Sequence, residues 1–265
     1  MKNVKLAVII VVTVGLVTVL ALVINSKLHP KTSTGTSTLN APDLEVAVLS
    51  TGKPANFTLY LKGRNQPPQE VSILVEKSTN PEGITRAKPI NVEVFENINN
   101  KKSKVFSYTG DKPEVTNELA DAYVASNFLE TGKDVLIVHR RNTAYGSGYR
   151  DYLTVIGYYG NPPSAPQDSA NFKYQAIEGP TLIELDKYKL ENQLGSFLVA
   201  RAFYSESPNL ETHYSPHKYE FFRYSWNWDS FLESPSLGKT NNGYDLSISI
   251  DQIISDENLK VGRKL

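Results

Sequence analysis

The chain has 265 residues, and its 28 basic and 28 acidic side chains cancel. Such a balance does not indicate nucleic-acid binding by a basic face. There is no cysteine, and Met1 is the one methionine, which removes disulfides, thiolate metal sites and cysteine nucleophiles together.

The first predicted element is residues 6–24, LAVIIVVTVGLVTVLALVI, nineteen residues without a charge. At about 1.5 Å per residue a helix of this length spans roughly 28 Å, close to the ~30 Å hydrocarbon layer of a bilayer. A cleaved signal peptide would have a shorter apolar run and small residues at a cleavage site. Here Asn25, Ser26 and Lys27 follow. Residues 6–25 are therefore read as a retained signal anchor, with residues 6–24 in the lipid bilayer. Lys2 and Lys5 favour a short cytoplasmic tail over residues 1–5. That topology places the remainder outside the cytoplasm, on a single-pass cell-membrane protein. Residues 26–43 contain HPKTSTGTSTLNAP, whose Ser, Thr, Pro and Gly content reads as a linker.

A β-rich lobe is expected over residues 44–160. Residues 44–49, 57–61, 71–75, 90–95 and 104–108 are short, rich in β-branched and aromatic residues, and separated by turn residues. That pattern predicts an antiparallel, sandwich-like sheet. Lys101, Lys102 and Lys104 read as the solvated tip of a hairpin. Residues 113–131 break the pattern. Val115, Leu119, Ala122, Tyr123, Ser126 and Leu129 fall on one helical stripe, with Pro113 near its start and Gly132 just past its end. This predicts one helix near 113–131. Residues 134–139, DVLIVH, form a continuous apolar run typical of a strand buried on both faces. With residues 152–159 they form a predicted hairpin packed under that helix.

Residues 160–169 carry three prolines and mark an internal boundary. Beyond it, residues 170–265 are read as a second β-rich lobe or a continuation of the first. Strands are expected at 172–177, 196–204, 219–228 and 244–248, while 181–194 fits either helix or strand. Ser249-Ile250-Asp251-Gln252 has the form of a capping box opening a short final helix. The fold class expected is mainly β or α+β.

Four groups of residues carry candidate chemistry. At period two, Phe222, Tyr224, Trp226 and Trp228 share one face of a strand, which could stack on sugar rings or pack inward as core. His213 and His217, with Glu220 and Glu211 nearby, have donors for a divalent metal such as zinc. The H-x-x-x-H spacing aligns two ligands only on a helix, and Pro216 argues against one there. His139-Arg140-Arg141 with the 145–149 loop could hold an anion, or pair His139 with Ser147, although G-x-S-x-G is absent. Asn56-Phe57-Thr58 is an N-glycosylation sequon.

No P-loop, dinucleotide fingerprint or EF-hand loop occurs, so no cofactor is expected. The reading is a non-enzymatic, membrane-anchored protein that binds a protein or glycan partner at the cell surface, or serves as an accessory or structural subunit of an envelope complex. The alternatives are an anchored extracytoplasmic hydrolase using His139 or the His213/His217 pair, and a pilin-like filament subunit.

Overall fold

The computed structural model describes residues 46–49, 52–76, 90–110, 117–145, 148–160, 172–191, 195–203 and 216–261. They fall within one compact unit, Thr36–Leu265. The predicted anchor at 6–24 and the linker at 26–43 lie outside the described residues. Among the described residues no helix is long and apolar enough to cross a membrane.

The fold is mainly β, built from three antiparallel sheets. The strands are β1 (Val46–Val48), β2 (Ala55–Leu59), β3 (Gln69–Val75), β4 (Ile90–Ile98), β5 (Lys101–Gly110), β6 (Asn117–Ser126), β7 (Asp134–Tyr145) and β8 (Gly148–Tyr159). They continue with β9 (Lys173–Ile183), β10 (Lys187–Glu191), β11 (Ser196–Phe203), β12 (Lys218–Trp226), β13 (Phe231–Glu233) and β14 (Gly238–Lys239). One sheet runs β1-β6-β7-β8-β9, a second β2-β3-β4-β5, and a third β10-β11-β12-β13 with β14 also on β12. Strands β8 and β9 flank the proline-rich segment and are neighbours in one sheet.

The first of these sheets lies between the other two. Successive side chains of a strand point to opposite faces, and here both faces are apolar. Ala122, Val124, Leu136, Val138 and Ile156 pack with Phe57, Leu59, Val71, Ile73, Ile90 and Val92 of the four-stranded sheet. The intervening Tyr123, Ala125, Val135, Ile137, Leu153 and Val155 pack with Tyr188, Leu190, Phe197 and Val199 of the third sheet. The far face of that third sheet buries Leu198, Ala200, Tyr219 and Phe221 against Tyr244, Ile250, Ile253 and Val261. The layers are thus sheet, sheet, sheet and a C-terminal cover.

Local chemistry agrees with these elements at several points. The four-stranded sheet alternates buried and more exposed residues along β3 and β4. The β4–β5 hairpin turns on Asn99 (φ 52°) and Asn100 (φ 61°), the residue type that tolerates two successive left-handed conformations in a tight hairpin. The lysines of β5 follow it, as expected. Helix α1 (Ile250–Asp256) opens with Ser249, whose side chain accepts from the Gln252 backbone N–H; the Ser N-cap of the expected capping box forms, while the Gln252 side chain donates to Asp256 rather than back to Ser249. Just after α1, Glu257 accepts from the backbone N–H groups of Asn241 and Asn242 and from the Tyr244 hydroxyl. These hydrogen bonds outweigh burial and bring its pKa down to about 2. The C-terminal cover is pinned by Arg223, which makes a bidentate pair with Glu191 and donates to the Val261 carbonyl at 2.6 Å.

Three expectations are corrected. The predicted helix near 113–131 is absent, because residues 117–126 form β6, paired with β1 and β7. A strand apolar on both faces has apolar residues at every spacing, so a helical stripe can be drawn through it. The strand expected at 219–228 starts earlier and ends at Trp226. The strand expected at 244–248 reduces to a single bridge between Tyr244 and His217.

Phe197 is fully buried and its ring lies 5.2 Å from Phe128 and 5.1 Å from Phe231. Phe197→Ala is expected to lower unfolding free energy by about 3–5 kcal/mol, read by chemical denaturation with an unchanged m-value.

Candidate functional site

The apolar contact between the middle sheet and the third sheet ends in a cluster of charge. Register makes it. Asp121 on β6 stands opposite His139 on β7, and Arg141 on β7 stands opposite Asp151 on β8. Positions 139 and 141 are two apart, so all four side chains share the face that looks at the third sheet. His139 Nδ1 lies 2.9 Å from Asp121 Oδ1, and Nε2 lies 3.1 Å from Asp151 Oδ2. Arg141 donates to both Asp151 oxygens at 2.7 and 2.8 Å. Tyr188 of β10 closes the far side, with its ring edge-on to the imidazole at 6.1 Å and its hydroxyl 3.0 Å from that of Tyr123.

Electrostatics follow from this geometry. Burial alone would depress His139, but the hydrogen bonds to Asp121 and Asp151 outweigh it and raise the pKa to about 9. For Asp151, burial is outweighed by Arg141 and His139, and its pKa falls. Both imidazole nitrogens are then protonated at neutral pH. Two carboxylates face two cations, and the site is a charge-balanced clamp across β6, β7 and β8. Solvent reaches it chiefly at Asp121, whose side chain is 40 % exposed against 8 % for Asp151.

A further carboxylate sits nearby. Asp186, in the turn between β9 and β10, accepts from the backbone N–H of Ile183 and of Ala202, each at 2.9 Å. Burial pushes its pKa up to about 6.

The residues singled out from sequence are distributed as follows. Of the aromatic row, Phe222, Tyr224 and Trp226 are half-buried on β12. The Arg201 guanidinium lies 4.7 Å over the Phe222 ring, and Tyr224 bonds to Arg201 and Glu233. Trp226 packs on Tyr159 and Phe231, at 5.5 and 5.4 Å. Trp228 leaves the row, because it lies past the strand end in a left-handed conformation (φ 81°). His217 is buried and bridges Tyr244, while Glu220 pairs with Lys239 at 3.2 Å. Three positions apart on extended chain, His217 and Glu220 point to opposite faces and do not converge. Glu211, His213 and Ser147 lie outside the described residues. Among the described residues no group of three or more His, Asp or Glu is arranged to hold a metal ion. Asn56 is exposed on β2.

His139 was legible as a candidate, but its partners Asp121, Asp151 and Tyr188 were not. Only pairing of residues 117–126 as a strand brings Asp121 to it. Set against known proteins, the chain matches no family model, no curated protein and no solved structure.

A base held protonated by its fold contributes stability in full below its unfolded pKa of 6.5, and that contribution is lost as pH rises through about 9. Histidine ¹⁵N shifts are expected to show His139 doubly protonated at pH 7.5, titrating near 9. The fall in unfolding free energy between pH 7 and 9.5 should flatten in His139→Gln. A His139 midpoint below 7 would show that the two carboxylates do not hold it.

Proposed function

We propose that this chain is a single-pass, membrane-anchored extracytoplasmic protein that acts by binding, or as an accessory or structural subunit of a cell-envelope complex, rather than by catalysis. The observation that carries this reading is the state of His139. A general base needs a lone pair presented to a substrate, and the His139 imidazole is instead enclosed between two carboxylates, with Nδ1 hydrogen-bonded to Asp121 and Nε2 3.1 Å from Asp151, which favour its charged form. Asp151 is itself occupied by Arg141. His139, Asp121, Asp151 and Arg141 serve one another instead. The apolar run at 6–24 supplies the anchor and the 26–43 segment the spacer.

The Phe222–Tyr224–Trp226 side of β12 shares the face that packs on the middle sheet, at its half-buried margin, and there it supports a binding role in a narrower form. Its rings are half-buried, with Arg201 and Glu233 beside them. An aromatic edge next to a charged pair suits a partner that brings both apolar and hydrogen-bonding groups, as a glycan or a protein loop does.

Two measurements test the reading. The detergent-solubilised chain is expected to retain a specific glycan on an array, or a defined envelope protein, with weaker retention after Tyr224→Ala. It is expected to turn over none of a panel of ester, peptide and glycoside substrates. Turnover that disappears in His139→Gln would overturn it.

A further inference from the structure

We infer that Asn56 carries an N-linked oligosaccharide, and that this glycan guards β2, an edge strand of five residues without a charge or a proline. The inference rests on the extracytoplasmic placement proposed above.

An exposed sheet edge presents unpaired backbone groups and templates pairing with another chain, so edges are normally short, charged, or interrupted by proline. The other described edges follow this rule. Strand β5 carries exposed Lys101, Lys102 and Lys104. Strand β9 contains Pro180, with Lys173 and Glu178 exposed. Strand β10 carries Lys187 and Lys189, and β1, β13 and β14 are three, three and two residues long. Strand β2 differs. It reads ANFTL over five residues, without a charge, a proline or a register shift, and among the described strands it pairs with β3 alone.

The sequon lies in the middle of this strand. Alternation puts Asn56 and Thr58 on the outer face and Phe57 in the core, where it is 5 % exposed. The carboxamide and the hydroxyl that define the sequon are therefore side by side in solvent, and neither bonds to another described side chain. A buried sequon, or one whose amide served a turn, could not be modified without unfolding.

The same face offers room for the first sugars. Asn56 stands opposite Ser72, and Ser72 lines a groove of about 510 Å³ with Pro54, Leu74, Asn91, Glu93 and Thr109. Hydroxyl, amide and carboxylate side chains interleaved with apolar Pro54, Leu74 and Val92 give the mixed polar and apolar lining that a sugar's hydroxyls and C–H faces can meet.

The step is a glycosyl transfer without redox change. The Asn56 amide nitrogen forms a bond to the anomeric carbon of an oligosaccharide carried on a polyisoprenyl phosphate. The anomeric C–O bond to phosphate breaks, the lipid phosphate leaves, and one amide proton passes to the transferase's base.

The test uses the full chain purified from its native membranes. The peptide containing Asn56 is expected to weigh more by one or more sugar units. The increment should vanish in Asn56→Gln and Thr58→Ala and persist in Thr58→Ser, which keeps the sequon. Sedimentation should show self-association of Asn56→Gln but not of Thr58→Ser; equal sedimentation of the two would overturn the edge-guarding role. A wild-type peptide at its bare mass overturns the modification. Protease added to intact cells separates the two readings. Digestion of the head with a bare peptide removes the glycan alone, whereas a head protected until the membrane is broken removes the external placement as well.

Discussion

A β-sheet covered on both sides has no polar face to give to water, and that burden falls here on β6, β7 and β8. Their even and odd positions enter different apolar clusters, one shared with the four-stranded sheet and one with the third sheet. Of the outer sheets, the four-stranded one lacks this property, whereas β11 of the third shares it, with Phe197 and Val199 in one cluster and Leu198 and Ala200 in another. The four-stranded sheet alternates between core and solvent, and the third depends on α1 and the segment around Tyr244 and Val261 to cover its other face. At about 25 cal/mol per Å² of apolar area removed from water, the middle strands have two surfaces to gain from. The outer sheets are therefore organised by docking on the middle one.

The charged clamp is the other half of that arrangement. A strand with two apolar faces has little in its pattern to fix register, since a slip exchanges one apolar face for another. Asp121, His139, Arg141 and Asp151 supply what the apolar pattern lacks. A one-residue slip of β7 would turn His139 and Arg141 to the other face and leave the buried Asp151 without a partner, an outcome far costlier than a lost apolar contact. Seen this way, a cluster with the residue types of an active site is explained by the strand that holds it.

The same fact decides what could be read from sequence. Strands β3 and β4 were legible because each has one wet face. The DVLIVH run of β7 was legible as doubly buried because it has no polar residue between Asp134 and His139. Strand β6, NELADAYVAS, mixes alanine, tyrosine and valine with Asp121 and Ser126, and that mixture fits a helical stripe as well as an extended chain. Placing Asp121 on a helix removed it from His139, so the partner that sets the imidazole's charge was lost along with the strand. Ser249 at the start of α1 was legible because a capping box is local. Trp228 was misplaced because its left-handed backbone (φ 81°) belongs to a turn that the aromatic alternation conceals.

Strand β7 shows how sharply the two environments meet. From Val135 to Val138 every side chain is buried and apolar. The next residue on one face is His139, and the next on the other is Arg140, which is 1 % exposed and reaches Thr154 at 3.2 Å and Glu178 at 3.6 Å. Gly110 of β5 lies directly over it, and a Cβ there would stand 3.1 Å from the guanidinium. Both interfaces of the middle sheet thus end at the same rung, one on a histidine between carboxylates and one on an arginine under a glycine. Apolar contact pulls three sheets together without specifying where along the strands they stop. Two buried cations at a common level, each tied to partners on neighbouring strands, supply that stop on both faces at once.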